Sequence, residues 1–323
     1  TGRLLADCSI ATFTYYFDIY RKQYWPEMLD FLGVREDQLP ALCEPCSNAG
    51  ALLPEVAARL GVNENVLVNI GTLDHFAGMI GTGNVRPGTL SLSTGTVLGL
   101  STMAGDPVKR DTGIPMHYGF LPGTYVMLPT AESGGASLEW FRKAFLPETS
   151  YRQIDEQAAL RRPGDLLFLP YIVGTNAPEF DLDACGMFYG LRSKHDAFDL
   201  ALAVMEGVAH LLKKNCDMIL ASGTPIERII ATGGGAKSAL WCQLQADITG
   251  IPVSIPAEKE AACLGAAMIG ATSAGVYKDF SEAANAAVRL EATFAPQADE
   301  RNERKHRQFV ALYEAMIGVQ RMK

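Results

Sequence analysis

Residues 229–241, IIATGGGAKSALW, run from a β-branched apolar stretch through three consecutive glycines into residues that favour helix. That order constrains the fold more than any other feature of the chain. A strand that ends in residues without a Cβ, with a helix directly after, is the turn of an α/β protein, whose ligands gather at the carboxyl ends of the strands. The motif is neither G-x-x-x-x-G-K-[ST] nor a clean G-x-G-x-x-G, so neither common phosphate fingerprint applies. Two readings stay open from the residues alone. Gly233, Gly234 and Gly235 can let a flat or charged ligand touch the backbone beside a helix N-terminus, or they can serve a tight turn with close helix packing.

The alternation continues on both sides. A long helix is expected at about 196–220, then strand RIIATGG, a helix at 236–249, strand IPVSIP and a helix at 260–274. The last helix, about 298–318, puts Phe309, Leu312, Tyr313 and Met316 on one face. Earlier, TLSLSTGTVLGLST alternates apolar and small polar residues across a Thr-Gly turn, the pattern of a β-hairpin. Strand TYVMLPT, helices at about 133–145 and 151–160, and strand DLLFLPYIVG follow. Residues 9–60 read as helical in IATFTYYFDIYRK, WPEMLDFLG and PEVAARLG, with a turn-rich link at 40–50. NVLVNIG then forms a short strand before a small-residue helix at 75–82. A length of 323 residues suggests about two domains, and the change of texture at Val85-Arg86-Pro87-Gly88 puts the boundary near 84, giving units 1–83 and 84–323. The implied architecture is a mixed sheet flanked by helices.

Several classes fall away on composition. A net charge of −8 argues against a nucleic-acid partner, which needs clustered Lys and Arg. No apolar run approaches the ~20 residues of a membrane span, so no membrane partner is expected. The start, TGRLLADCSI, has neither Met nor a signal pattern and reads as internal. Seven cysteines, an odd number, suit a reducing cytoplasm better than a disulfide framework. CEPC at 43–46 has metal-ligand spacing but no second pair nearby, and no spaced histidine pair exists, so no protein metal site is expected. His210 reads as a core histidine. The mixed-sign run DERNERKHR at 299–307 reads as the solvated face of a helix. There is no G-x-S-x-G elbow, and nothing supports a Cys–His nucleophile.

Three further stretches carry candidate chemistry. In SLSTGTVLG (91–99), hydroxyls and turn N–H groups at Gly95 and Thr96 could hold phosphate oxygens, or form a plain hairpin turn. ESGGASLEW (132–140) opens a helix at a glycine pair, with the same ambiguity. NIGTLDHFAGMIGTG (69–83) holds one carboxylate, Asp74, between a strand and a helix. Taken alone it reads best as an N-cap, worth ~1 kcal/mol; as a general base it would need a cleft and a hydroxyl within reach.

In this order and spacing, the segments resemble the FGGY carbohydrate kinases. LLADCSIATFTYYFDI is similar to the family's Asp-x-Ser-x-Ala-Ser/Thr segment at Asp7, Ser9 and Ala11. GTLDHFAGMIGTGNVRPGTLSLSTGTVLG resembles its run of catalytic Asp, helix, Pro-Gly and phosphate hairpin. LPYIVGTNAPEFDLDACGMFYGL (169–191) is similar to its LPY-x-x-GER-x-P-x-x-D-x-x-A-x-G-x-F-x-GL, and EGVAHLL, ATGGGAKSALWCQLQADITGIPV and EKEAACLGAAMIGA look like its closing segments. The resemblance implies an actin/Hsp70/hexokinase-like (ribonuclease H-like) fold, with ATP, Mg²⁺ and a sugar or polyol as ligands. It implies Asp74 as the base that deprotonates the sugar hydroxyl, with His75 beside it at the sugar. It puts Gly95 and Thr96 at the phosphates, Gly135 and Glu139 beside the nucleotide, and Gly234 and Ser238 toward adenosine, with Gly233 and Gly235 also among the nucleotide-binding residues. A ketose such as a pentulose is the favoured acceptor, and a homodimer is left open.

The chain departs from the family at His75, where Gln or Asn is common, and at Gly174-Thr175-Asn176, where the family carries Gly-Glu-Arg. The family's Asp-x-Gly-Thr strand-turn has no counterpart here. The chain is therefore expected to lack most of the first domain and to show little activity alone. The alternative is a non-catalytic nucleotide-binding or assembly module of the same fold.

Overall fold

A computed structural model describes residues 1–105, 113–162, 164–176, 179–320 and 322. Ala177 and Pro178, within the segment matched at 169–191, lie outside the described residues. The principal strands are β1 (Gly88–Thr94), β2 (Leu98–Ala104), β3 (Met116–Tyr118), β4 (Tyr125–Met127), β5 (Thr130–Ala131), β6 (Ile226–Thr232), β7 (Val253–Pro256) and β8 (Leu290–Phe294). They form one sheet in the order β8-β7-β6-β1-β2-β4-β3, with β5 also paired to β2. Pairs β1–β6 and β6–β7 are parallel, while β1–β2 and the outer pairs are antiparallel. The sheet is thus mixed. Strands β1 and β2 at its centre alternate apolar and small polar residues, nearly all of them buried, because both faces are covered.

The helices are α1 (Asp74–Gly81), α2 (Gly135–Phe145), α3 (Tyr151–Ala158), α4 (Ala197–Ala221), α5 (Ala239–Thr249), α6 (Ala261–Ser273), α7 (Phe280–Ala287) and α8 (Glu300–Gln320). Asp196 caps α4, accepting from the N–H groups of Phe198 and Asp199 in a reciprocal box with Asp199. A large core gathers Leu90, Leu92 and Leu100 with α2, α4 and α5. A second core packs Phe76, Met79 and Ile80 of α1 against Phe120, Met268 and Phe280. No described helix is long and apolar enough to cross a membrane.

Residues 10–22 are not the expected helix. After one turn at Cys8–Ala11 and a 3₁₀ turn, Tyr15 adopts φ +63° and two short strands, Phe17–Asp18 and Gln23–Tyr24, form a hairpin. The Asp18 carboxylate accepts from the N–H groups of Tyr20 and Arg21, a local alternative to helix. The link at 40–50 holds strands Ala41–Cys43 and Asn48–Ala51. Helices Pro26–Leu32 and Pro54–Leu60 stand as read, each opened by proline.

Tyr118, wholly buried, joins this N-terminal region to the sheet. Its hydroxyl donates to Glu44 at 2.7 Å, its N–H donates to Thr12 Oγ1 at 3.0 Å, and its ring meets Phe17 edge-on. The run at 299–307 is not wholly solvated either. Asn302, Lys305 and His306 are buried on the same helical face as Phe309, and Lys305 reaches Glu206 of α4 at 2.5 Å.

Candidate active site

Asp74 is the first residue of α1, and Leu73, not Asp74, occupies the capping position. The exposed Asp74 carboxylate accepts only the adjacent N–H, that of His75, at 2.6 Å among the bonds described. The cap reading is corrected by one residue, and most of the carboxylate's hydrogen-bonding capacity faces outward. What aims it is the Asp7–Ser9 turn. Asp7 accepts from the N–H groups of Ser9 and Ile10, and Ser9 Oγ lies 2.8 Å from Thr72 Oγ1 and 3.4 Å from the N–H of Leu73. Two residues far apart in sequence thereby fix the approach to α1.

The carboxylate opens on a cavity of about 260 Å³, lined also by His75, Gly78, Ser91, Ser93, Thr232 and Ala262. Burial lowers the His75 pKa, outweighing the pull of Asp74, so the ring is neutral at pH 7. Its Nε2 is buried and has no partner among the described residues.

The β1–β2 turn carries Gly95 and Thr96, and β6 ends at the glycine run. These turns and the start of α2 converge. A Cβ on Gly135 would stand 2.5 Å from the Gly95 carbonyl, and one on Gly235 would stand 2.7 Å from the Thr94 side chain. Close packing therefore requires both glycines. A Cβ on Gly95 would meet nothing within 4 Å, and one on Gly234 only the Thr94 carbonyl at 3.7 Å. No packing demands those two, and the space beside them is open to a ligand. The first N–H groups of α2 are not available: Gly135 donates to Gly95 O at 2.7 Å and Ala136 to Thr96 O at 3.1 Å.

Beside this junction lies a cleft of about 580 Å³, bordered by Thr94, Gly95, Thr96, Gly135, Glu139, Gly234, Gly235 and Ser238. Glu139 is at its rim, paired with Lys143 at 2.6 Å, which lowers the Glu139 pKa. Ser238 caps α5, which begins three residues later than expected, by accepting the Trp241 N–H at 3.0 Å. Gly233 borders a different cavity of about 730 Å³ on the far side of the glycine turn. The residues read from sequence thus fall in three neighbouring hollows: Asp74 and His75 in the first, Gly233 in the third, and the rest in the second.

Sequence reasoning missed Tyr151, Arg152, Asp155 and Trp241, which form the remaining wall of the nucleotide-sized cleft. Trp241 ends the glycine motif without having been singled out, and no motif marks Tyr151, Arg152 and Asp155, because α3 reaches the glycine turn only through tertiary packing. The loop at Gly174-Thr175-Asn176 is anchored without the family's Glu and Arg. The Thr175 N–H donates to Asp181 O at 2.9 Å, Asn176 Nδ2 donates to Glu132 at 3.2 Å, and Lys214 pairs with Glu179. Among the described residues no group of three or more His, Cys, Asp or Glu could hold a metal, and Cys43 and Cys46 are free thiols, the latter pushed up to about 12 by burial.

The model of the C-terminal domain of the FGGY family of carbohydrate kinases matches residues 89–274, and that of the N-terminal domain matches residues 1–81. Xylulose kinase of Bacillus subtilis (strain 168) is 30% identical over 318 residues, 97% of this chain and 63% of that protein. Xylulose kinase of Escherichia coli (strain K12) is 33% identical over 257 residues, 77% of this chain and 52% of that protein. The crystal structure of a xyloylose kinase from Brucella ovis superposes with a TM-score of 0.91 at 29% identity, covering 99% of this chain and 66% of that one. The fold is the actin- and hexokinase-like one of these sugar kinases. This chain spans less than two thirds of the two curated relatives. Because the N-terminal-domain match occupies residues 1–81, the expectation that most of that domain is lacking is not borne out. The chain belongs to the FGGY family of carbohydrate kinases.

Proposed function

We propose that the protein transfers the γ-phosphoryl group of ATP to a hydroxyl of a sugar or polyol, with a ketose such as a pentulose as the favoured acceptor. Asp74 accepts the proton of that hydroxyl, and the unpartnered Nε2 of neutral His75 meets a sugar oxygen. One observation carries the reading: the outward-facing Asp74 carboxylate and the open, glycine-walled cleft at Gly95 and Gly234 border successive segments of a single strand and its turn. The xylulose kinases among the relatives support the ketose.

The cleft fits a nucleoside triphosphate, with Thr94–Thr96 at the phosphates, Gly135 and Glu139 beside the nucleotide, and Gly234, Gly235 and Ser238 toward adenosine. Mg²⁺ supplies charge neutralisation when bound to the phosphates. In phosphoryl transfer positioning and charge outweigh base strength. Asp74→Asn is accordingly expected to lower kcat by ~10²–10⁴ with ADP affinity unchanged. A panel of ketoses and polyols with ATP reads this out. Asn-variant turnover within a few-fold of the unsubstituted protein refutes the role of Asp74. Nucleotide binding without transfer to any acceptor leaves the non-catalytic module instead.

A further inference from the structure

Asp155 stands in the wall of the nucleotide-sized cleft, on α3, and belongs to none of the sequence motifs. It is half-buried, and burial raises its pKa while the Ser238 hydroxyl opposes that rise. The Ser238 oxygen accepts the Trp241 N–H at 3.0 Å, and its hydroxyl stands near enough to Asp155 to lower that carboxyl's pKa. The ionised Asp155 carboxylate, at the wall of the cleft, can only accept.

The other groups in the cleft say which part of a nucleotide meets it. The hairpin turn at Thr94–Thr96 marks the phosphate end. Asp155 shares its wall with Tyr151 and Trp241. Trp241 is buried with its Nε1 committed to Met205 O at 3.0 Å, so it presents only ring surface to the cleft. Tyr151 is half-exposed, with Arg142 over its ring. Aromatic faces beside an acceptor-only carboxylate suit a base with a flat face and an amino edge.

We propose that Asp155 is a specificity-determining residue for the nucleotide, its carboxylate at the wall of the cleft accepting from the exocyclic amino group of a purine. This deepens the kinase reading and rests on the same cleft. A hydrogen bond to a charged acceptor is worth ~1.5–3 kcal/mol, or ~10- to 150-fold in affinity.

Calorimetry on the intact protein tests it without requiring catalysis. The probes are ADP, purine riboside diphosphate (the same nucleotide without the amino group) and 2′-deoxy-ADP. The unsubstituted protein is expected to bind ADP at least tenfold more tightly than purine riboside diphosphate. Asp155→Ala is expected to bind the two alike, with affinity for purine riboside diphosphate within threefold of the unsubstituted protein. Asp155→Asn keeps a neutral acceptor and the same volume, so it is expected to retain a reduced preference and serves where the alanine variant folds poorly. Equal weakening of both ligands by Asp155→Ala means a structural role and overturns the proposal. So does a preference that Asp155→Ala abolishes for the 2′-hydroxyl instead of the amino group, which places the ribose there. ADP binding without amino discrimination overturns this proposal and leaves the kinase reading standing, whereas no binding of any nucleotide sinks both.

Discussion

Replacing Gly265 by alanine tests how Asp74 is held, because α1 and α6 cross with no room for a methyl group. A Cβ on Gly265 would stand 1.8 Å from the Ala77 carbonyl oxygen, and one on Gly81 would stand 1.8 Å from that of Ala261. Both obstacles are backbone, so neither can swing aside as a side chain does. Contacts under 3.0 Å essentially never occur, so the helices must part by about 1.2 Å. Forcing one methylene-sized group into a packed contact costs ~1–3 kcal/mol. Alanine regains ~1 kcal/mol of helix propensity. The steric cost wins, leaving a net loss of up to ~2 kcal/mol, or a fall of several degrees in Tm. Gly270 lies on the same helix with nothing within 4 Å of its virtual Cβ, so Gly270→Ala is expected to stabilise by ~0.5–1 kcal/mol. On the proposed function the gap also moves Asp74 at the start of α1, and a displacement of ~1 Å can cost ~10²-fold in rate. Thermal melts and ketose-dependent ATP turnover of both variants measure these effects side by side. A Gly265→Ala protein that melts at or above the unsubstituted temperature, as Gly270→Ala should, refutes the close crossing.

Two further perturbations follow from buried charge. Burial, with His75 nearby, holds His117 neutral down to about 4, against 6.5 ordinarily. Between those values the unfolded chain binds a proton that the folded chain refuses, so this share of stability is present above 6.5 and is lost as pH falls toward 4, by at most ~3 kcal/mol. His117→Phe retains the stack on Phe13, 4.3 Å away, and is expected to flatten urea-measured stability between pH 7 and 4.5; an unchanged slope rules out His117 as its source. Lys305→Ala takes from Glu206, 3% exposed, its partner at 2.5 Å and leaves only Arg301 at 3.6 Å, so it is expected to cost up to ~3–5 kcal/mol, partly regained by adding Glu206→Ala. Equal denaturant midpoints for Lys305→Ala and the parent would show that the pair is not held away from water.

The second half of the chain was legible because its periods are long and clean. The apolar spacing of 196–220 became α4, and the glycine run fell at a strand end. The first half resisted for a local reason. Tyr15 at φ +63° and Lys22 at φ +55° break what looks like helix, and Asp18 competes for backbone N–H groups there. Lys305 could have been found, since it lies four residues before Phe309 and eight before Tyr313, on the buried stripe; the density of charges around it masked that phase. Asp155 could not have been found. Its place beside the glycine turn and Trp241 comes from tertiary packing, and nothing in the composition of α3 reports that meeting.

The site's geometry also explains why one strand matters more than any loop. Ser91, Leu92 and Ser93 line the cavity of Asp74, while Thr94, Gly95 and Thr96 line the nucleotide-sized cleft. The change from one hollow to the other takes place within one residue step of β1, ~3.3 Å along the strand. On the proposed reading, attacking oxygen and phosphorus must come within ~3–3.5 Å, so the two ligands have to meet where the hollows meet. β1 is hydrogen-bonded to β6 on one side and β2 on the other, and Leu90 and Leu92 are wholly buried. The spacing between acceptor and nucleotide is therefore set by a buried strand hydrogen-bonded on both sides. Asp74 approaches that junction on a separate helix, held by the Gly81–Gly265 crossing and by the Ser9–Thr72 contact. A carboxylate placed this way needs no unusual basicity, because position supplies most of what phosphoryl transfer asks of it.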